Sequence, residues 1–345
     1  MSSLYLNTTV TTIFMTKKFQ GFTLQSTLTT STLHPSILSP LNPWYITGFS
    51  DGESSFIVSM TKDNEYKTGW RVGLAFAIGL DKKDTILLER IKSYFKVGTI
   101  RFSKANNSAI YSVQSVKDIS NVIIPHFDKY PLLTQKRADF ELFKSIVDLM
   151  NRKVHRTPEG LQKLINIRAS MNEGLSDKLQ EVFPDTKPVP RPVIKSTEIP
   201  DPATVVGPPW NGGGPQPNWL SGFVDGEGCF HVSQRKSGQI QLEFRLSQRD
   251  RDLYLLSYLI GYINSGYIKR DTRNSVIYFT ITKFADIIDK LIPLFDAYPI
   301  QGSKLLDYIC FRKVAMLMKD KAHLTKEGAD KIRDIKKSMN KERVH

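Results

Sequence analysis

The chain has 345 residues, 40% hydrophobic and 24% charged, which is enough for two ordinary domains or one duplicated plan and excludes wholesale disorder. Lys and Arg number 48 against 34 Asp and Glu, a formal charge of +14, which points to a polyanionic partner, either nucleic acid or an anionic membrane surface. No uncharged apolar run reaches the length of a membrane span, and two cysteines, Cys229 and Cys310, make neither a disulfide framework nor a Cys-rich zinc module, so the chain reads as a reduced-compartment protein.

Residues 1–41 are rich in Ser and Thr, lack Asp and Glu, and carry Lys17 and Lys18 as their only Lys or Arg. An acid-poor, Ser-rich start fits an organelle-targeting segment. The absence of Arg fits a disordered extension or read-through from an upstream frame equally well, and no fold is expected there.

A short helix is predicted next, over about residues 44–52, entered through Asn42 as cap and Pro43 at the first helical position. A strand, a polar turn and a second strand follow. The second strand alternates Val72, Leu74, Phe76 and Ile78 with Arg71, Gly73, Ala75 and Ala77, the period-two pattern of a half-buried antiparallel sheet. A helix over residues 85–95, a hairpin from 99–103 to 110–114, and two or three closing helices complete the unit. Residues 183–217 hold ten of the chain's 18 prolines and the run Gly212-Gly213-Gly214, a composition that reads as an extended linker.

After the linker the plan starts again. WYITGFSDGESSF (44–56) matches NWLSGFVDGEGCF (218–230), with Glu53 and Glu227 at an offset of 174. Downstream the offset is 168: YFKVGTI (94–100) with YINSGYI (262–268), Tyr130-Pro131 with Tyr298-Pro299, Lys136 with Lys304, His155 with His323. Landmarks in order and in one register are the mark of an internal repeat. The six-residue difference is assigned to the hairpin turn around residues 62–69, where added length costs little. The domain reading is therefore an extension (1–41), a first repeat (42–182), a linker (183–217) and a second repeat (218–345). The fold class is α+β: two pseudo-symmetric αββαββα repeats whose antiparallel sheets form a saddle, packed through the two motif helices.

Gly48 and Gly52 are four apart, as are Gly222 and Gly226. Small residues at that spacing let helix backbones approach closely, so Gly48 and Gly222 mark the seam between the repeats. Glu53 and Glu227 then come together at two helix C-termini. Helix C-termini disfavour negative charge and two carboxylates repel; a divalent cation resolves both conflicts. Paired carboxylates holding Mg²⁺ near a phosphodiester suit metal-assisted hydrolysis.

The segments ITGFSDGES (46–54) and LSGFVDGEG (220–228) resemble the two signature motifs of a LAGLIDADG homing endonuclease of the monomeric, two-motif, intron-encoded type. The resemblance runs from about Leu41 to the C-terminus and takes in YPLLTQK (130–136) and NIRASMN (166–172). It implies that Glu53 and Glu227 are the catalytic, metal-binding acids, that Gly52 and Gly226 offer backbone carbonyls to the metal, and that basic residues stand near the scissile phosphates. Lys136 and Lys304 are the candidates, set against a plain reading as solvated helix-start lysines. Gln248 is a further candidate, with Leu80 as its counterpart in the first repeat. Ser54 departs from the usual glycine of the ninth motif position. Asp51 and Asp225 read as structural, and His155 and His323 as turn residues before capped helices. The implied cofactor is Mg²⁺, with Mn²⁺ substituting and Ca²⁺ supporting binding with little or no cleavage. The implied compartment is the mitochondrion, and the implied state a monomer with no membrane partner.

The polar strand faces supply the DNA-binding candidates: Ser55, Ile57, Ser59, Arg71, Arg101 and Gln114 in the first repeat, and His231, Ser233, Arg235, Gln241, Glu243, Arg245, Lys269, Tyr278 and Thr280 in the second. Most are residue types that read base edges, with Lys104 and Lys319 as peripheral phosphate contacts. The faces differ, so the expected partner is double-stranded DNA with a long asymmetric site, cut once per strand to leave 3′ overhangs. A group I intron RNA maturase and an inactive DNA-binding module are the alternatives; neither needs both carboxylates.

Overall fold

The computed structural model describes residues 39–103, 105–194, 216–235, 238–271 and 273–339. The readings of residues 1–38, of Lys104 and of most of the linker lie outside these residues.

The first repeat runs α1 (Pro43–Glu53), β1 (Ser54–Lys62), β2 (Trp70–Asp81), α2 (Thr85–Phe95), β3 (Thr99–Phe102), β4 (Ser108–Val113), α3 (Val116–Asp118), α4 (Ile124–Lys129), α5 (Lys136–Asn151), α6 (Pro158–Arg168) and α7 (Asp177–Val182). Asn42 accepts the Trp44 N–H at 2.9 Å, so α1 opens as the sequence predicts. The second repeat runs α8 (Pro217–Glu227), β5 (Gly228–Gln234), β6 (Ile240–Arg249), α9 (Leu253–Ile263), β7 (Tyr267–Asp271), β8 (Val276–Ile281), α10 (Phe284–Asp286), α11 (Ile292–Ala297), α12 (Lys304–Lys319) and α13 (Lys326–Lys337). From α2 onward the first repeat's elements start 168 residues before their counterparts. Even a π-helical turn recurs, at Ile119–Ile123 and Ile287–Leu291, each running into a short helix with a proline in its first turn.

Each sheet has four antiparallel strands, in the orders β1-β2-β4-β3 and β5-β6-β8-β7. The extra six residues of the first repeat lie in a longer first hairpin, where β1 and β2 each exceed β5 and β6 by two residues and the turn takes the rest. The inward face of each sheet closes on an aromatic cluster. Phe56 packs against Phe76, Phe127, Phe140 and Phe143 with centroids 5.3–5.6 Å apart. Phe230 does the same with Phe244, Phe295, Tyr308 and Phe311 at 5.3–5.8 Å. Burying each ring is worth about 1.5–3 kcal/mol, which pins α5 and α12 against the sheets and fixes where their first residues point. His155 and His323 lie in 3-10 turns before α6 and α13, whose caps are Thr157 and Thr325.

The start of the linker is irregular yet anchored to the first repeat. Val189 N–H donates to Asn166 O at 3.2 Å, and Arg191 makes a bidentate pair with Asp139 at 2.6 and 2.8 Å.

Candidate active site

Helices α1 and α8 face each other across the middle of the molecule. A Cβ on Gly48 would stand 1.9 Å from the Trp219 carbonyl oxygen, and one on Gly222 would stand 2.0 Å from that of Tyr45. Backbone therefore lies on backbone, and no side chain fits at either position. Asp51 and Asp225 are buried at this seam. Asp51 accepts from the N–H groups of Leu133 and Thr134 and the Thr134 hydroxyl, and from Trp219 Nε1 of the other repeat at 2.8 Å. Asp225 accepts from the Gln301 and Gly302 N–H groups and from the Tyr45 hydroxyl of the other repeat at 2.5 Å. Burial pushes both carboxyls up and these donors pull them back. Both aspartates act as cross-seam ties.

Two residues on, Glu53 and Glu227 lie beside each other's last helical glycine. A Cβ on Gly52 would meet Glu227 Cγ at 3.2 Å, and one on Gly226 would meet Glu53 Cγ at 3.3 Å. Burial raises both carboxyls above the usual range. For Glu227 the neighbouring Glu53 raises it further, while Lys136, a hydrogen bond from Gln248 and Lys304 lower it. For Glu53 the opposing pull comes from Lys304 and then Lys136. Gln248 lies next to the end of β6 on its core-facing side, where Leu80 stands in the first repeat, so the two halves of the site are unlike.

Part of the electrostatic conflict is relieved from within the chain. Lys136 Nζ, from the first residue of α5, donates to Ser50 O at 2.8 Å and Gly52 O at 2.9 Å. Lys304 Nζ, from the first residue of α12, donates to Val224 O at 3.1 Å and Gly226 O at 2.8 Å. Each ammonium sits where a helix C-terminus favours a cation. Burial lowers both lysines, and the surrounding carboxylates pull them back up. Neither is a solvated helix-start lysine.

Sequence reasoning missed a second reciprocal tie. Asp84 precedes α2 yet makes no cap bond to it; it accepts from Ser303 N at 2.6 Å and Ser303 Oγ at 2.9 Å. Asp252 precedes α9 in the same way and accepts from Gln135 N at 2.7 Å. Each lysine-bearing helix is thus held at its N-terminus by an aspartate of the opposite repeat. The offset of 168 between the two aspartates was a visible signal, but a local-cap reading conceals it.

The available donors at the centre are oxygens: two carboxylates and the Gly52 and Gly226 carbonyls, each of which keeps a lone pair beyond its lysine. Among the described residues no group of three or more His, Cys, Asp or Glu could hold a metal. A donor set of two carboxylates plus carbonyls suits a hard ion that keeps waters and takes phosphate oxygens, as Mg²⁺ does. A cavity of about 360 Å³ opens beside Glu53, lined also by Leu80, Asp84, Gly226 and Lys304.

Residues 46–147 and 220–315 match the family profile described as LAGLIDADG endonuclease. The chain belongs to this LAGLIDADG family, with two motifs in one polypeptide. It is 41% identical over 300 residues to a "Probable intron-encoded endonuclease 2" of Neurospora crassa, covering 87% of this chain and 65% of that protein, so it spans a little under two thirds of that relative. A Podospora anserina protein in ND4 intron 1 is 42% identical over 142 residues, 41% of this chain and 31% of that protein. Among solved structures, the LAGLIDADG homing endonuclease I-SmaMI bound to cleaved DNA superposes with a TM-score of 0.80 at 41% identity, over 88% of this chain and 98% of that one. The same enzyme with an uncleaved DNA target and calcium ions gives 0.80 at 42%, over 87% and 99%.

In this LAGLIDADG chain the outer strand faces carry nearly all the remaining candidates. Ser55, Ile57, Ser59, Arg71 and Arg101 are exposed on β1, β2 and β3, and Gln114 is exposed just beyond β4. His231, Arg245 and Lys269 are exposed on the second sheet; Arg235 is exposed just past β5, and Ser233, Gln241, Glu243 and Tyr278 are half-buried. Arg245 pairs with Glu243 and lies 5.1 Å over the Tyr278 ring. Arg235 donates to Gln241 Oε1 at 3.0 Å. Thr280 differs from the reading: it is 3% exposed. Its neighbours in the register are Arg245 and Tyr267, both far larger and both exposed, and a short side chain between them presents no surface. Lys319 is exposed at the end of α12.

Proposed function

We propose that this chain is a site-specific, Mg²⁺-dependent double-strand DNA endonuclease that hydrolyses one phosphodiester per strand in a long asymmetric target, leaving 3′ overhangs. Residues 42–182 and 218–345 act as the two DNA-binding repeats and residues 183–217 as the connector. The observation that carries the reading is the pair Glu53 and Glu227, brought together from opposite repeats at two glycine-packed helix ends.

Glu53 and Glu227 would hold the divalent ions, with the carbonyls of Gly52 and Gly226 as further donors. A bound divalent cation supplies Lewis-acid stabilisation of the leaving oxygen and a more acidic water. Lys136 and Lys304 keep the terminal carbonyls in place and hold positive charge where the scissile phosphates arrive. Gln248 hydrogen-bonds Glu227 and fixes the orientation of its carboxylate. The two sheets straddle the duplex, taking phosphates with Arg and Lys and base edges with their polar side chains. A chain that cuts an uninterrupted gene at one site supports mobility of the intron that encodes it, and the Podospora relative within an ND4 intron favours the mitochondrion as its place of action.

Incubation with duplex containing the intronless host sequence tests this. Mg²⁺ should give double-strand cleavage, Mn²⁺ should substitute, and Ca²⁺ should give binding with little or no cutting. Glu53→Gln and Glu227→Gln should each abolish double-strand cleavage while affinity for DNA survives; wild-type cutting by either variant would refute the assignment. Splicing assistance to a group I intron without cleavage of any duplex would favour the RNA reading instead.

A further inference from the structure

The two outer sheet faces differ in chemistry at several of their central positions. Ile57 answers to His231, Ala75 to Glu243, Ala77 to Arg245 and Ile110 to Tyr278 in the two registers. The first face therefore has little that can donate or accept a hydrogen bond in its middle. Its apolar side chains are nonetheless open, with Ile57 40% and Ile110 42% exposed.

These residues are not scattered. Ile57 lies beside Ala75 on neighbouring strands, and Ser55 beside Ala77. Ile110 lies between Gly79 and Arg101. Arg71 and Arg101 flank the apolar strip, so it is continuous with the basic residues of the same face. A solvent-facing sheet gains nothing from isoleucine in its middle rows, whereas the thymine C5-methyl is the one apolar group on a base edge in the major groove, and apolar side chains are its natural contact.

We propose that the first repeat reads its half-site chiefly by apolar contact with thymine methyl groups, through Ile57 and Ile110, while the second reads its half-site by hydrogen bonds with His231, Glu243 and Arg245. The inference rests on the proposed DNA endonuclease function and specifies the substrate of its two faces. The second face is organised for the other mode: Arg245 is held by Glu243 and Tyr278, and Arg235 by Gln241, so its donors are oriented before DNA arrives.

Selection of cleaved duplexes from a randomised library supplies the target. Selection repeated with Arg245→Ala shows which half relaxes and so which half lies under the second repeat. Deoxyuridine, which lacks only the methyl, is then placed for thymidine in each half, and binding is measured in Ca²⁺. In the first-repeat half each contacted position should weaken binding about fourfold, the worth of roughly one buried methyl. In the second-repeat half the change should stay within twofold. Ile57→Ser should remove part of the first-half sensitivity. The proposal is overturned if selection shows no thymine preference in the first-repeat half, or if deoxyuridine there changes nothing while the unmodified duplex is still cut. Failure to cut any duplex with Mg²⁺ would instead overturn the endonuclease reading.

Discussion

Gly48 and Gly52 lie one turn apart on α1 and face the same partner helix, yet alanine should act on them in opposite ways. At Gly48 the added methyl would stand 1.9 Å from a backbone oxygen and 2.7 Å from its carbon. Neither atom can swing aside, so reaching even 3.0 Å requires α1 and α8 to part by about 1 Å. Such a shift stretches the two cross-seam bonds, Trp219 to Asp51 at 2.8 Å and Tyr45 to Asp225 at 2.5 Å, to or beyond the limit of hydrogen bonding, and strands the two buried donors, Trp219 Nε1 and the Tyr45 hydroxyl. Overpacking alone costs about 1–3 kcal/mol, and each stranded buried donor about 1–3 more. Gly48→Ala should therefore lose at least about 3 kcal/mol, or on the order of 4 °C in Tm for a chain of this size.

At Gly52 the nearest atom is Glu227 Cγ at 3.2 Å, part of a side chain that can give by a few tenths of an ångström. Alanine is also the better helix former by about 1 kcal/mol. Gly52→Ala should melt within a few degrees of the wild type yet cut at least about tenfold more slowly, because the carboxylate is displaced from its working position. Thermal unfolding followed by circular dichroism and single-turnover cleavage well below Tm separate the two effects. If Gly48→Ala unfolds like the wild type, the seam is not a backbone-to-backbone contact. If Gly52→Ala is as unstable as Gly48→Ala, the two carboxylates do not lie against these glycines.

His126 is buried and bonded to Thr47 and Tyr94, and burial lowers its pKa to about 3 from 6.5. The fold thus favours the neutral ring, and its contribution to stability is full above pH 6.5 and lost as pH falls toward 3. At pH 4.5 that loss is about 2–3 kcal/mol. His126→Leu, which copies Leu294 of the second repeat, should remove this part of the Tm-against-pH slope, and an unchanged slope between pH 6.5 and 4.5 would count against it. Asp252→Ala should free the N-terminus of α5 and slow cleavage about tenfold with DNA affinity unchanged. Asp252→Asn, whose amide oxygen still accepts the Gln135 N–H, should restore most of the rate; equal loss in both would deny the positioning role. Arg191→Ala should release the linker from Asp139 and lower Tm, with little effect on the Ca²⁺-supported binding constant measured by titration.

What the sequence made legible was what repeats in a local pattern. Two glycines four apart and an acid directly after the second suffice to place Glu53 and Glu227 at a seam, because helix geometry converts that spacing into a face. Alternation along β2 and β6 placed their inner and outer sides correctly, since the pleat has a period of two. The ties made over long sequence separations were not legible. Asp84 and Asp252 stand where a helix cap belongs, and nothing in the neighbouring residues says that each serves a helix 219 or 117 positions away. Lys136 and Lys304 could be singled out but not distinguished from solvated lysines, because their burial is created by the aromatic clusters that dock α5 and α12. Thr280 shows the limit of alternation: the period gives the side of the sheet but not the shade thrown by larger neighbours.

The pattern of sameness and difference between the repeats follows the symmetry of the proposed substrate. Gly48 and Gly222, Asp51 and Asp225, Glu53 and Glu227, Asp84 and Asp252, and Lys136 and Lys304 are alike in kind and hold corresponding places in both halves. The phosphodiester is also alike on both strands, related by the local two-fold axis of the duplex, so two cuts by one chemistry demand two equal sets of tools. The bases have no such symmetry, and the outer faces are free to diverge, as Ile57 and His231 or Ala75 and Glu243 do. Leu80 against Gln248 is the exception inside the centre. The two strands should for that reason be cut at unequal rates, and nicked intermediate should accumulate in time courses of the wild type. Gln248→Leu makes the halves more alike and should bring the two rates closer together. If the variant widens the gap instead, Gln248 does not govern the strand that Glu227 serves.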